Sequence, residues 1–179
     1  MLTDLTAGAL ADAQRRRETV SLADVERLAL AQIPALDAMI ALAPAERVKI
    51  IAEVKRASPS KGALATIADP AGLARSYEIG GASTISVLTE ERKFLGSLED
   101  LRNVRSAVSI PVLRKDFIAE PYQVFEARAA GADLVLLIVA ALEQENMQEL
   151  FDLSTDLGMT VLVETHSGDE LSRALDLGA

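Results

Sequence analysis

The sequence contains no cysteine and no tryptophan, and it has a single histidine. Without cysteine the chain can form neither a disulfide framework nor a thiolate metal site, and one histidine cannot supply the usual zinc or iron ligand sets. Basic residues are also scarce, since 18 Lys and Arg stand against 27 Asp and Glu for a formal net charge of -9. Binding to nucleic-acid phosphates needs a clustered excess of positive charge, so the composition argues against a nucleic-acid partner.

Long hydrophobic runs are missing as well. The longest one, Leu134–Leu142, is far shorter than the roughly 20 residues that cross a bilayer, and the amino terminus lacks the basic segment and apolar core of a secretion signal. We therefore expect a cytoplasmic protein without a membrane partner. Half of the residues are hydrophobic, which is enough to build one substantial core.

From about Lys49 onward, short apolar segments alternate with amphipathic ones. The apolar segments predict five strands, at Lys49–Lys55, Thr84–Thr89, Val112–Asp116, Leu134–Val139 and Thr160–Glu164. The segments between and after them predict helices, at Pro70–Ile79, Ser97–Ala107, Pro121–Ala130, Leu142–Leu157 and Gly168–Leu177. Regular alternation of strand and helix requires parallel pairing with right-handed crossovers, so the sequence predicts an α/β fold with a parallel sheet.

Residues 1–48 show no strand pattern. Helical periodicity predicts a leader with helices at Leu5–Arg17, Leu22–Leu30 and Leu36–Leu42. Such a leader either covers one end of the sheet or forms part of a lid over a site, and the sequence leaves both open. Within it we expect Arg15–Arg17 to form a solvated helix face. We thus divide the chain into a leader at 1–48 and a partial (β/α) barrel at 49–179.

The joints between helices and strands repeat along the chain. Gly81-Ala82 and Gly131-Ala132 each precede a strand, and Gly178-Ala179 stands where a sixth strand would be due. An eightfold (β/α) barrel typically takes about 250 residues. The pattern therefore predicts a truncated barrel with the leader helices and the first five βα units.

Charged side chains occur where the apolar strands end. Glu53 and Lys55 project to the same side of their strand because strand side chains alternate with period two. Lys115 and Glu164 end two further strands. Each pair could be a structural ion pair, but charge confined to the carboxyl ends of parallel strands is typical of a site built there.

These segments resemble the indole-3-glycerol phosphate synthase family of tryptophan biosynthesis. The motifs occur in the family's order, as Glu53-Val-Lys-Arg-Ala-Ser-Pro-Ser-Lys-Gly62, Ser86-Val-Leu-Thr-Glu90, Phe94-Leu-Gly-Ser97, Pro111-Val-Leu-Arg-Lys-Asp-Phe117, Leu136-Leu-Ile-Val139 and Val163-Glu164. The resemblance implies a (β/α)8 TIM barrel and a carbon-carbon lyase of the carboxy-lyase type. Such an enzyme closes the indole ring of 1-(2-carboxyphenylamino)-1-deoxyribulose 5-phosphate and releases carbon dioxide and water. No cofactor and no metal are implied, and the partner is this small phosphorylated substrate.

The resemblance also implies roles for individual residues. Lys115 corresponds to the general acid that protonates the substrate carbonyl, and Glu164 to the group that removes a proton during dehydration. Glu53 corresponds to a carboxylate that orients the site. Lys55 corresponds to the cation that holds the substrate carboxylate or phosphate, and it stays open as an alternative proton donor. The remaining matches are the substrate-binding residues Ser58, Phe94, Phe117 and Leu136.

Two other functions stay open at this point. A barrel lysine beside acids can form an imine, so Lys115 is also compatible with a Schiff-base aldolase, and the chain could be a non-catalytic part-barrel used for folding or assembly. His166 lies in phase with Glu164, but the family assigns no catalytic role there. An open barrel has two unpaired strand edges, so we expect possible self-association. We also expect little turnover from these residues alone, because the family's remaining strands carry much of its phosphate site.

Overall fold

The central sheet consists of five parallel strands that follow one another in chain order. A computed structural model describes residues 1–178 and places these strands at β1 (Ile51–Val54), β4 (Thr84–Leu88), β5 (Val112–Lys115), β6 (Leu134–Ile138) and β7 (Thr160–Glu164). Their order across the sheet is β1-β4-β5-β6-β7, and every neighbouring pair is parallel. The predicted α/β class, with consecutive βα units of a barrel, is confirmed.

Eight α-helices accompany the strands within the described residues. They are α1 (Leu2–Thr19), α2 (Leu22–Leu30), α3 (Ala38–Leu42), α4 (Pro70–Ile79), α5 (Leu98–Ala107), α6 (Pro121–Ala129), α7 (Gln144–Asp156) and α8 (Gly168–Leu175). Five of them begin after a Ser or Asp whose side chain accepts a backbone N–H of the first turn, namely Ser21, Asp37, Asp69, Ser97 and Ser167. These caps satisfy helix donors that have no intrahelical partner.

The predicted strands and helices agree with the structure apart from their ends. Strand β1 begins at Ile51, where Lys49 was predicted, and residues after β6 form a single 3-10 turn, Val139–Ala141. One element was not predicted at all. A short antiparallel hairpin, β2 (Ala57–Ser58) and β3 (Gly62–Ala63), follows β1. Two-residue strands are too short to show a hydrophobic period, so the sequence pattern could not reveal this hairpin.

The sheet has two differently packed faces. The outer face carries Ile85, Val87, Val135 and Leu137, which are fully buried against the helices in the largest apolar cluster. The inner face contributes a second cluster, Leu113, Leu134, Leu136 and Ile138, together with Ala38 of α3. Because both faces are covered, β6 reads as a continuous apolar run with no polar alternation.

The leader is attached to the barrel mainly through α6. Tyr122 of α6 packs with Ala13 and Val25 of the leader, and its hydroxyl donates to the Val20 carbonyl oxygen at 2.9 Å. Arg16 donates from Nε and Nη2 to the two carboxylate oxygens of Glu126, at 2.5 and 2.8 Å. Two parallel bonds of this kind fix orientation as well as distance.

The expectation of a solvated Arg15–Arg17 face is therefore wrong for Arg16, which points inward to a buried acid. Burial works to lower the pKa of Arg16, but the hydrogen bond and charge of Glu126 outweigh it and raise that pKa. The flanking arginines remain exposed. Local periodicity could not distinguish the three, because Glu126 is distant in the sequence.

A second ionic contact joins α1 to the loop after β4. Asp12 is buried, and it accepts hydrogen bonds from Arg92 Nε at 2.9 Å and from Arg15. Burial works to raise the pKa of Asp12, whereas the hydrogen bonds and charges of the two arginines lower it, and the net pKa is below the ordinary value of 3.8. A carboxylate with a lowered pKa stabilises the folded state above its unfolded pKa and loses that contribution as the pH falls through the folded pKa.

This contact predicts a pH-dependent effect of Asp12→Asn in the full-length protein. At neutral pH the substitution should lower the free energy of unfolding by about 1–2 kcal/mol, since charge-assisted hydrogen bonds are lost. The difference in the free energy of unfolding between wild type and variant should begin to narrow below about pH 4, where the unfolded carboxylate becomes protonated, and should disappear as the pH falls through the lower pKa of the native carboxylate. Urea unfolding of both proteins at several pH values measures this difference in the free energy of unfolding. Asp4→Asn, at an exposed position of the same helix, is the control, and a gap that does not change with pH would contradict the prediction.

The two outer strands, β1 and β7, each have one paired neighbour among the described residues. Beside these edges the inner face exposes Ile51 and Leu162, each 37% accessible. Unpaired edges next to apolar surface favour pairing with another chain. We propose that a polypeptide limited to these 179 residues associates with itself.

Light scattering over a dilution series tests this proposal. We expect a mass above that of a monomer which falls on dilution, and we expect Leu162→Lys to reduce association because it places a charge on the exposed inner face. Leu30→Lys is the matched control, since Leu30 is exposed on the leader helix α2, which packs mainly against α6. A monomer whose mass is independent of concentration would refute the proposal.

Candidate active site

The carboxyl ends of the five strands surround one cavity. Strand pairing sets Glu53 beside Ser86, Leu88 beside Lys115, and Ile138 beside Glu164. The cavity has a volume of about 170 Å³, and its lining consists of Glu53, Lys55, Leu88, Phe94, Lys115, Asp116, Phe117, Leu136, Ile138 and Glu164. Parallel strands bring their carboxyl ends to one edge, which is why residues far apart in sequence meet here.

Glu53 is held by two neighbours. Lys55 Nζ donates to its Oε1 at 2.5 Å, and Ser86 Oγ on the adjacent strand donates to its Oε2 at 3.2 Å. The predicted pairing of Glu53 with Lys55 on one face of β1 agrees with the structure. Ser86 is a buried residue that the sequence analysis quoted only as part of a motif. It fixes the second carboxylate oxygen and so limits the orientations open to Glu53.

Lys115 and Glu164 face each other from β5 and β7. Lys115 Nζ lies 3.7 Å from Glu164 Oε2, and the other oxygen of Glu164 lies 3.6 Å from His166 Nε2. The Lys115 and Glu164 side chains are each about one third exposed, at 30% and 34%. An ion pair this accessible adds little stability. Both groups therefore stay open to a molecule that enters the cavity.

Asp116 belongs to a different network on the outer side of β5. Its Oδ2 accepts from Arg114 Nη2 at 2.9 Å and from Thr89 Oγ1 at 2.6 Å. Arg114 is completely buried, and it also donates to the Gln123 carbonyl oxygen at 2.8 Å. Asp116 thus pairs with Arg114 and Thr89 and not with its sequence neighbour Lys115. These hydrogen bonds hold the end of β5 from its outer side.

Two aromatic rings form one wall of the cavity. The ring centres of Phe94 and Phe117 are 6.0 Å apart with an interplanar angle of 43°, within the range of favourable tilted pairs. Leu136 of β6 is buried and lines the same cavity. All three predicted side chains line the cavity, Leu136 as a buried residue and the two phenylalanines as half-buried ones.

Ser58, the remaining predicted substrate-binding residue, does not line the cavity. It lies half-buried in the β2–β3 hairpin, and its role stays a prediction. Arg56, two residues nearer to β1, was overlooked. Its Nη1 donates to Asp100 at 2.5 Å and to the Leu95 carbonyl oxygen at 3.2 Å, which ties the hairpin to the loop that bears Phe94. The hydrogen bond to Asp100 raises the pKa of Arg56, so this arginine is a fixed cation.

Across residues 1–178 no group of three or more His, Asp or Glu side chains is arranged to hold a metal ion. In the same range no helix is both long and apolar enough to cross a membrane.

Comparison with known proteins identifies the family. The family model described as indole-3-glycerol phosphate synthase matches residues 2–179. The chain belongs to the indole-3-glycerol phosphate synthase family. The resemblance stated from the sequence motifs is therefore confirmed, and the parallel sheet is five consecutive units of the TIM barrel of that family.

Several indole-3-glycerol phosphate synthases are similar to the whole chain. The protein from Leifsonia xyli subsp. xyli is 72% identical over 179 residues, which are 100% of this chain and 69% of the relative. Those from Kineococcus radiotolerans and Mycobacterium avium are 57% and 58% identical, again over 100% of this chain, and 67% and 65% of their own lengths are covered. The chain spans about two thirds of the length of these relatives.

Proposed function

We propose that this chain carries the acid-base centre of an indole-3-glycerol phosphate synthase. The observation that carries the proposal is the position of Lys115 and Glu164, 3.7 Å apart at the strand ends and beside an aromatic wall. A proton donor next to a proton acceptor, both partly accessible, suits a reaction that adds and removes protons in successive steps. Membership of the family supplies the reaction itself.

Ring closure is the first step. The ring carbon that bears the carboxylate of the anthranilate group attacks the ketone carbon of the substrate, and Lys115 Nζ donates a proton to the ketone oxygen, which becomes a hydroxyl. Loss of the carboxylate as carbon dioxide then returns its bonding electron pair to the ring. A positioned acid is needed because negative charge develops on the oxygen as the new carbon-carbon bond forms.

Dehydration completes the indole. The new hydroxyl leaves as water after it receives a proton, and Glu164 accepts a proton from the adjacent methylene carbon, so that the carbon-carbon double bond of the ring forms and the nitrogen keeps its hydrogen. Since Glu164 also lies beside Lys115, the proton that Glu164 accepts can return to Lys115, which is then ready to act as the acid again. Lys55 stays the alternative proton donor, because it lines the same cavity and is paired with Glu53.

The apolar part of the lining fits the aryl half of the substrate. Phe94 and Phe117 offer ring faces, and Leu88, Leu136 and Ile138 complete the apolar surface. A flat aromatic ring is stabilised by offset or tilted contacts with such side chains. Burial of the ring also removes water from its carboxylate, which favours decarboxylation.

Replacement of Lys115 or Glu164 in the full-length protein tests the proposal. We expect Lys115→Met and Glu164→Gln each to lower kcat by about 10²–10⁴-fold, the usual contribution of a positioned acid or base. Fluorescence of indole-3-glycerol phosphate measures turnover. Lys61→Ala is the matched control, because Lys61 is an exposed lysine in the hairpin turn.

Three outcomes would contradict the proposal. Both variants could keep wild-type kcat, which would remove Lys115 and Glu164 from the chemistry. Borohydride could trap the substrate on Lys115, which would favour the Schiff-base aldolase. Thirdly, an inactive wild-type protein would favour a non-catalytic part-barrel.

The charge of the cavity bears on phosphate binding. Its lining holds two lysines against three carboxylates, and both lysines are paired with acids. A substrate with a carboxylate and a phosphate needs further cations or backbone amides. We therefore propose that these 179 residues alone turn over little substrate. We also propose that the protein is cytoplasmic, where phosphorylated intermediates are retained.

A comparison of two polypeptides tests this point. A polypeptide of these 179 residues should show less than about one hundredth of the kcat/KM of the full-length protein, because the phosphate adds binding energy that the short form cannot use. The fluorescence assay applies to both, and circular dichroism checks that the short form has its helices. Equal kcat/KM values would refute the proposal.

A further inference from the structure

The loop between β4 and α5 is organised around one buried carboxylate, Glu90, for which the proposed reaction has no use. Glu90 is 3% exposed, and within residues 1–178 no ion pair is formed by its side chain. A buried carboxylate needs several hydrogen-bond donors, because burial of a charge without them is strongly unfavourable. The donors around Glu90 are therefore informative.

Three consecutive backbone groups supply them. Arg92 N–H donates to Glu90 Oε1 at 3.0 Å, and the N–H groups of Lys93 and Phe94 donate to Oε2 at 2.7 and 2.9 Å. Successive amides that converge on one anion form a nest. The main chain from Arg92 to Phe94 is thus wrapped around a side chain of its own loop.

The end of the loop is closed equally tightly. Gly96 N–H donates to the Glu90 carbonyl oxygen at 2.9 Å, and Leu95 has a positive φ of 57°. A side chain at Gly96 would place its Cβ 2.0 Å from the Leu88 carbonyl oxygen, so only glycine fits against the end of β4. Both the nest and the closure bring Phe94 to the cavity beside Phe117.

We propose that Glu90 is a positioning residue, which fixes Phe94 against the aryl ring of the substrate and so sets the affinity for that half of the molecule. This inference rests on the proposed function. Glu90 does not line the cavity with Lys115 and Glu164, so it acts on binding through Phe94 and leaves the proton transfers to those two residues.

Glu90→Gln separates this role from a general need for a side chain of that size. A carboxylate offers two acceptor oxygens, whereas an amide offers one oxygen and one NH2 group. Whichever way the glutamine turns, at least one backbone N–H of Arg92, Lys93 or Phe94 faces another donor. The nest must then open, although the volume of the side chain is unchanged.

The experiment uses the full-length protein. We expect Glu90→Gln to raise KM about fivefold with kcat within about twofold of wild type, since a contact made equally in ground and transition states is weakened. In a Phe94→Ala background the same substitution should change KM by less than about 1.5-fold, because the two residues act as one unit. Amide hydrogen exchange should become faster at Lys93 and Phe94 in the single variant.

Two further variants keep the test decisive. Glu91→Gln is the matched control, as Glu91 is the exposed neighbour in the same loop, and its KM should equal that of wild type. If Glu90→Gln does not fold, Glu90→Asp takes its place. Aspartate keeps the charge but is too short to reach all three N–H groups, so the same dependence on Phe94 is expected.

The outcomes distinguish failure of the inference about Glu90 from failure of the proposed function on which it rests. A lower melting temperature with unchanged KM, or equal KM changes in the presence and absence of Phe94, would show that Glu90 is only structural and would overturn the inference. A wild-type protein without synthase activity would overturn the proposed function instead. In that case hydrogen exchange at residues 92–94 still reports whether the nest exists.

Discussion

The fully buried guanidinium of Arg114 is the interaction on which the arrangement of the site depends. It joins the ends of β4 and β5 through Thr89 and Asp116, and it reaches α6 through the Gln123 carbonyl oxygen. A buried charge persists only if its hydrogen bonds are satisfied, and breaking such a network costs several kcal/mol. The outer side of β5 is thereby fixed, so that its inner side presents Lys115 in a defined place.

The same network extends to the leader. Glu126 lies 3.6 Å from Arg114 and accepts two hydrogen bonds from Arg16 of α1. Nearer the amino end of the same helix, Asp12 accepts a hydrogen bond from Arg92 of the β4–α5 loop. The leader therefore contacts both the scaffold of β5 and the loop that carries the aromatic wall. A role in covering the sheet and a role near the site, which the sequence left as alternatives, are compatible in one helix.

On the inner face of the described sheet, charged side chains occur only near the strand ends. Inward-facing side chains deeper in the strands are uncharged, as at Leu113 and Leu134, while Glu53, Lys115 and Glu164 lie near the strand ends. Desolvation explains this distribution, because a charge in the middle of the inner face would lie far from water. The strand ends combine rigid backbone with access to solvent, which suits groups that exchange protons.

Sequence alone determined where the helices and strands lie and which side chains share a face of a strand. Period-two alternation placed Glu53 and Lys55 together, and apolar runs between capped helices required parallel strands whose ends meet, so Lys115 and Glu164 could be assigned to one cavity. Only the tertiary structure decided what depends on contacts between distant segments or on backbone turns without a period: the inward direction of Arg16, the β2–β3 hairpin and the wrapping of the main chain around Glu90. Periodicity reports which face of an element is buried, whereas the partner of a buried charge is chosen by the packing of the whole chain.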